Sequence, residues 1–430
     1  MTQPTRRNFL QTSSTAMAGA VFIPGPRPVD PAIKIGLVGC GGRGTGAAVN
    51  MLVGRPRVEL TAMGDMFESQ IEKSLAGMRE HRTKDKSRVP GINVLPERCF
   101  TGPDAYKKVI DSDIDVVLLV TPPYCRPEHF EYAVKAGKHV FLEKPCATDV
   151  AGINKILALE DEVKRRGLNV VSGFERRLLP FMIEARDRLQ NGAVGEMVAG
   201  YAYFNTNDIW YREKQPGMTD RDFWFYNWYH VEWMSGDHIV EQAVHSPDII
   251  NWIFDEHPIK AYGMGGRQFH TNRGGNIYDH FAVEYEYPSG RRMTLQARQI
   301  TGTDGKFAED ILGSKGRANL TYTTGAKIFG ANPWDGQYSQ DTSLPWDNQN
   351  QNVLEAVFVI DSVRENRATN QVRAICESTY TCILGREAAY TGKVVEWDAL
   401  LATNHKLVPD NLAAWDGTLR PVAKPGDKRW

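Results

Sequence analysis

Short apolar runs closed by glycine or proline alternate with helix-compatible stretches over the first third of the chain. Ile33-Lys34-Ile35-Gly36-Leu37-Val38 leads into the turn Gly39-Cys40-Gly41-Gly42-Arg43-Gly44 and then into Thr45 to Leu52, which can form a helix. Val58 to Met63 ends at Gly64-Asp65, and Asp115 to Val120 is closed by Thr121-Pro122-Pro123. A helical stretch from Pro127 to Ala136 passes through Gly137 into His139-Val140-Phe141-Leu142, and Asn169 to Ser172 repeats the strand signal. Short continuous apolar strands alternating with helices are those of a parallel sheet covered on both faces. The pattern predicts an α/β chain whose residues 31–175 form a Rossmann-type, doubly wound parallel sheet.

Beyond residue 175 the period changes to two. Glu196 to Phe204, Phe281 to Tyr287 and Arg292 to Ile300 alternate apolar and polar positions, as in strands with one covered face. Residues 176–430 are therefore expected to form an α+β domain with a large, open, mostly antiparallel sheet, holding the substrate and contacts to further copies of the chain. Aromatic residues concentrate between Tyr201 and Trp233, where they can serve as core, as oligomer contact or as stacking surface for a sugar.

Composition narrows the partners. The 430 residues carry 51 Lys and Arg against 52 Asp and Glu, a balance that argues against nucleic acid. Apolar runs such as Met17–Ile23 and Val116–Val120 fall far short of the ~20 residues a membrane-spanning helix needs. None of the six cysteines forms a C-x-x-C pair, so isolated buried thiols are expected. Thr5-Arg6-Arg7-Asn8-Phe9-Leu10, followed by the small-residue stretch Met17 to Ile23, resembles a bacterial twin-arginine export signal, and Pro24 to Pro28 reads as a linker. Residues 1–30 are thus expected to be a removable head on a periplasmic or exported protein.

The candidate chemistry begins at Gly39-x-Gly41-x-x-Gly44. In a dinucleotide fingerprint the first glycine makes the tight turn, the second lets backbone approach the pyrophosphate, and the third lets helix pack on strand. Gly42 and Arg43 lie in the same turn. Asp65, 21 positions after Gly44, closes the second strand, where an acid accepts both ribose hydroxyls and repels a 2′-phosphate. NAD is expected as the cofactor in preference to NADP. Glu143-Lys144-Pro145 follows the strand ending at Leu142, at the carboxyl edge where ligands of open α/β sheets bind. A lysine there can hydrogen-bond a substrate hydroxyl or take part in proton transfer; on position alone a solvated ion pair explains it equally well.

Gly39 to Gly44, Thr121-Pro122, Ala136-Gly137-Lys138-His139-Val140 and Glu143-Lys144-Pro145, with the late stretch Gly385 to Lys393, resemble the Gfo/Idh/MocA family of sugar and cyclitol oxidoreductases. The resemblance implies NAD(P) on the first domain, a sugar or polyol against the second, and Lys144 as a site residue. It also implies Thr121, Pro122 and Glu143 beside the cofactor. Arg126 stands where many members place a histidine after the Thr-Pro turn. The family's acid-x-x-x-His signature falls on Glu241 and His245, with Glu in place of the usual Asp. These two are expected on one helix face, His245 as proton acceptor and Glu241 orienting it or a second hydroxyl. Arg176, Arg177, Tyr278 and His280 are further candidates for substrate contact. A zinc-like reading of His230, Glu232, Asp237, His238, Glu241 and His245 competes, but the resemblance implies no metal.

Three functions follow in order of expectation. The first is NAD-dependent hydride transfer from a sugar, glycoside or polyol. The second is a glycosidase that oxidises its substrate transiently, eliminates the aglycone and restores the cofactor. The third is an exported sugar-binding protein without catalysis.

Overall fold

The computed structural model describes residues 31–81, 87–322, 324–337 and 351–430; the twin-arginine-like segment and its linker lie outside the described residues. Six strands form the first sheet: β1 (Ile33–Val38), β2 (Val58–Asp65), β3 (Cys99–Thr101), β4 (Val116–Leu119), β5 (His139–Leu142) and β6 (Val170–Ser172). They lie in the order β3-β2-β1-β4-β5-β6, and every neighbouring pair is parallel. This is the Rossmann order, and it reverses between β1 and β4, which opens a crevice at the carboxyl edge. The strands read as continuous apolar runs because both faces are covered. Ile35, Leu37, Leu118 and Phe141 pack with Ala47, Met51 and Leu52 of the helix Gly42–Gly54, while Val117, Leu119, Val140 and Leu142 pack with Phe130, Val134 and Ile153 on the other side.

The second sheet is built from β7 (Met197–Thr206), β8 (Lys260–Gly266), β9 (His280–Glu286), β10 (Arg292–Gln299), β11 (Lys306–Gly313), β12 (Gly316–Thr321), β13 (Gly325–Gly330), β14 (Trp334–Gln337) and β15 (Val395–Glu396). Its order is β14-β13-β12-β11-β7-β10-β9-β8-β15, antiparallel throughout except for the parallel pair β7 and β10. Along β9, Phe281, Val283 and Tyr285 are buried while Ala282 and Glu284 face outward, the alternation that marks one covered face. The cover includes the helices His245–Phe254 and Val372–Thr391. The latter is buried along most of its length because it also packs on β6 and on the helix Val150–Leu157 of the first domain. Close approach is required there: a Cβ on Gly385 would lie 2.0 Å from the Tyr285 hydroxyl.

Two arrangements differ from the sequence expectation. The division at residue 175 is not clean, because the helix Gln351–Arg364 returns to the first domain and lies against Gly42–Gly54. Its Ala356, Val359 and Ile360 complete the core on that face of the parallel sheet, which would otherwise be left partly bare. The single helix expected to carry both Glu241 and His245 is broken into His238–Glu241 and His245–Phe254. Pro247 gives the reason: without an N–H, and with a ring that clashes with the carbonyl of residue 243, it is tolerated only in a helix's first turn. All six cysteines are free; the closest pair, Cys146 and Cys376, has its sulfurs 3.8 Å apart. Among the described residues no helix is long and apolar enough to cross a membrane.

Candidate active site

A cleft of about 1560 Å³ opens along the carboxyl edge of the parallel sheet, and successive strands deliver their following residues into it. Gly39 to Gly44 follow β1, Asp65 ends β2, Thr121 and Pro122 follow β4, Glu143 and Lys144 follow β5, and Glu175 follows β6. Glu241 and His245 close it from the second domain.

The glycine turn fits a dinucleotide. Gly39 has φ +96°, and a Cβ on it would meet the backbone of Val120 and Thr121 at 2.7 Å. A Cβ on Gly44 would lie 1.8 Å from the Gly39 carbonyl oxygen, so helix and turn are in direct contact. Gly41 and Gly42 face open space, with nothing within 4 Å of a Cβ position. The helix Gly42–Gly54 has neither a side-chain cap nor an acid in its first turn, so its N–H groups and positive dipole end remain for a pyrophosphate. Asp65 is held by N–H groups donated from Cys40 (2.7 Å) and Phe67 (3.0 Å), which fix a carboxylate at the position that reads ribose hydroxyls. Thr121 is braced by His129, its Oγ1 3.3 Å from Nδ1. Arg126 is buried in the cleft wall; Nη1 donates to the Pro145 carbonyl, and Nε is enclosed without a partner.

Beside the turn lies a knot of buried acids around one cation. Arg43 pairs with Glu143 and, at 3.2 Å, with Glu355 on the returning helix. Glu143 also accepts the Lys144 N–H at 2.8 Å, which orients the lysine. Lys144 Nζ donates to the Glu241 carbonyl oxygen at 2.5 Å and stands 3.9 Å from its carboxylate. Burial raises the Glu241 carboxyl above its ordinary value, against the pull of Lys144 and Arg126. Burial likewise pushes Glu175 up to about 7, with Arg43 opposing and Glu143 reinforcing. His245 is driven well below the usual imidazole range by burial, with Lys144, Arg176 and Arg43 adding to the effect. It is therefore neutral at pH 7 and able to accept a proton. Its Nδ1 is enclosed without a hydrogen-bond partner, 3.8 Å from Glu175 Oε2, leaving Nε2 for the cleft.

Thirteen of the residues singled out from sequence thus meet in one cleft: Gly39, Gly41, Gly42, Arg43, Gly44, Asp65, Thr121, Pro122, Arg126, Glu143, Lys144, Glu241 and His245. Four do not. Arg176 forms a bidentate pair with Glu309 on β11 at 2.7 and 2.5 Å, both side chains out of water, and Arg177 is paired with Asp248 at 2.9 and 2.6 Å. A guanidinium at such depth needs a carboxylate, and satisfying it removes the arginine from substrate contact. Tyr278 is buried with its hydroxyl on the Ala423 carbonyl at 2.9 Å, and His280 bonds its neighbour Asp279 at 2.8 Å, away from the cleft. The zinc-like constellation is not assembled among the described residues: His238 is buried against Phe281, ring centroids 5.0 Å apart. Glu175 was not singled out from sequence, although its place after β6 obeys the same carboxyl-edge rule that pointed to Lys144.

Two family profiles match the chain: an oxidoreductase family with an NAD-binding Rossmann fold over residues 33–171, and the GFO/IDH/MocA C-terminal domain over residues 182–319. An inositol 2-dehydrogenase of Rubrobacter xylanophilus is 24% identical over 296 residues, 69% of this chain and 73% of the relative. A 2,7-anhydro-N-acetylneuraminate hydratase of Escherichia coli is 27% identical over 214 residues, 48% of this chain and 52% of the relative. Scyllo-inositol dehydrogenase of Lactobacillus casei, solved with NAD(H) and scyllo-inositol, superposes with a TM-score of 0.62 at 18% identity, covering 85% of this chain and 99% of that one. With one profile on the parallel-sheet half and the other on the open-sheet half, the chain belongs to the Gfo/Idh/MocA family of NAD-binding oxidoreductases.

Proposed function

We propose that the protein oxidises a hydroxyl-bearing carbon of a sugar, glycoside or polyol, with Lys144, His245 and Glu241 at the reacting hydroxyl. The observation that carries this reading is the convergence of Lys144 and a neutral His245 in the cleft that also holds the glycine turn and Asp65. The sugar and inositol enzymes among its relatives support the substrate class. NAD, when bound, would supply the two-electron acceptor for a hydride; Gly39 to Gly44 and Asp65 would hold it, with Arg43, Thr121, Pro122, Arg126 and Glu143 lining the same cleft.

The side chains have separable tasks. Lys144 is tethered to the Glu241 carbonyl, and its other N–H donors are left for a substrate hydroxyl. His245 takes the hydroxyl proton at Nε2 as the adjacent carbon loses its hydride. Glu241 lies in contact range of Lys144 and positions it or a second hydroxyl. Purified protein, denatured and assayed for released dinucleotide, should yield NAD; a glycoside and polyol panel should then yield reduced cofactor and keto-sugar. Absence of bound or bindable dinucleotide would sink the reading.

The second reading is transient oxidation followed by elimination and re-reduction. The E. coli relative's name, a hydratase of an anhydro-sugar, favours keeping it. Release of aglycone without net NADH would establish it over simple oxidation. We further propose that the Arg6-Arg7 segment directs export and that the second domain mediates oligomerisation. Fractionation of cells expressing the full chain, and light scattering of the purified protein, test these two points.

A further inference from the structure

The wall of the cleft nearest the second domain carries a cation that the proposed reaction does not use. Arg212 lies against two aromatic rings, its guanidinium carbon 3.8 Å from the Trp210 ring centre and 4.5 Å from that of Tyr226. Its backbone is pinned from both sides by the buried Asn227, whose Oδ1 accepts from the Arg212 N–H and whose Nδ2 donates to the Arg212 carbonyl, each at 2.9 Å. One terminal nitrogen donates to the Tyr226 carbonyl. No carboxylate lies within ion-pairing distance among the described residues, and the rest of the guanidinium fork is unpaired. Arg43, Arg176, Arg177 and Arg273 are by contrast all paired with acids, Arg126 feels Glu143 and Glu241, and Arg221, which also lines the cleft, donates to the Ala413 carbonyl. Partial burial even draws Arg212 below its ordinary value, with only Tyr226 opposing.

This frame adjoins the reacting end of the cleft. Trp210 packs on Tyr229 with ring centres 6.0 Å apart, and Tyr229 feels the charge of Glu241, the partner of Lys144. Arg212, Trp210, Tyr226 and Trp228 line the same opening as Lys144 and His245. The opening, at about 1560 Å³, exceeds the ~300–1,000 Å³ usual for a single small-ligand pocket.

Resting on the functional reading above, we propose that Arg212 is a substrate-specificity residue that reads a carboxylate, so that the substrate is an acidic sugar, a uronic acid or its glycoside, with Trp210 and Trp228 beside its ring. A planar fork held against aromatic rings matches a carboxylate bidentately. The Arg212 guanidinium carries one positive charge, which matches a singly charged carboxylate rather than a doubly charged phosphate. An unpaired, half-desolvated guanidinium is itself the kind of group that a bound anion completes.

The test is calorimetric binding to the NAD-loaded full chain of methyl glucuronide and methyl galacturonide, with the matching methyl glycosides, methyl glucuronamide and glucose 6-phosphate as comparisons. The uronides should bind about 10- to 100-fold more tightly than the neutral glycosides, as a charge-assisted hydrogen bond does. The uronamide, equal in shape but uncharged, should bind like the neutral sugars, and this needs no substitution. In Arg212→Gln the preference for uronide should collapse toward unity, and Arg212→Lys should recover only part of it; melting temperature reports the integrity of each variant. Equal binding of uronide and neutral glycoside by the wild-type chain, a preference for the phosphate, or a preference that survives Arg212→Gln would overturn the assignment while leaving sugar oxidation standing. Binding of none of these sugars would also overturn the assignment, and the polyol panel then decides whether oxidation stands.

Discussion

Nδ1 of His245 lies 3.8 Å from Oε2 of Glu175, and the imidazole has no other acceptor there. The gap is slightly beyond a hydrogen bond, as catalytic contacts commonly are before substrate closes them. Ionised Glu175 can accept Nδ1–H and stabilise the imidazolium that forms when Nε2 takes a proton. Because burial lifts Glu175 to about 7, it is largely protonated below that pH and no longer carries the negative charge that stabilises an imidazolium. Activity should therefore rise with pH through about 7. His245 contributes no limb there, since its lowered value keeps it neutral throughout this range. Glu175→Gln should lower kcat more than it raises KM and remove the limb; a pH profile identical to wild type would refute the pairing.

Lys144→Ala and His245→Ala should each reduce turnover by about 10²- to 10⁴-fold, the usual contribution of a positioned acid or base. Dinucleotide content and melting temperature should stay close to wild type, since neither side chain anchors the core. Wild-type rates in both variants would dismiss the assignment.

Gly44→Ala and Gly46→Ala differ by two positions and should differ in outcome. At Gly44 the new methyl would sit 1.8 Å from the Gly39 carbonyl oxygen, so the helix must shift away from the turn; at Gly46 nothing lies within 4 Å. Fluorescence titration with NADH should show binding lost in the first and kept in the second. The second should also be more stable by up to about 1 kcal/mol from helix propensity.

Arg176 and Glu309 are out of water and bonded to each other bidentately. Arg176→Met leaves an uncompensated buried carboxylate and should cost about 3–5 kcal/mol in denaturant unfolding. Molecules that still fold should retain their affinity for sugar; a selective loss of sugar binding at unchanged stability would restore Arg176 as a substrate contact.

The legible parts of this molecule were those written locally. The apolar strands, the glycine turn and Asp65 could be read because each is specified by residues close together in the chain, and β5 begins and ends where the pattern puts it, at His139 and Leu142. Lys144 was legible through the carboxyl-edge rule, and the same rule applied to β6 would have pointed to Glu175 rather than to its neighbours Arg176 and Arg177. The break between Glu241 and His245 was also present in the sequence as Pro247, but the spacing of acid and histidine suggested a continuous turn. What was not legible depends on distant partners. Nothing near residue 355 announces that its carboxylate meets Arg43, and nothing near residue 212 announces an arginine without an acid.

The return of Gln351–Arg364 to the helix Gly42–Gly54 has a bearing on how the protein is made. One face of the nucleotide half is closed, and Arg43 is matched by Glu355, by residues that emerge from the ribosome some three hundred positions after the glycine turn. A nascent chain halted at residue 175 thus carries every fingerprint residue yet exposes the apolar surface that Ala356, Val359 and Ile360 later seal. The apolar face beside the glycine turn is thus sealed only after synthesis has passed the helix ending at Arg364.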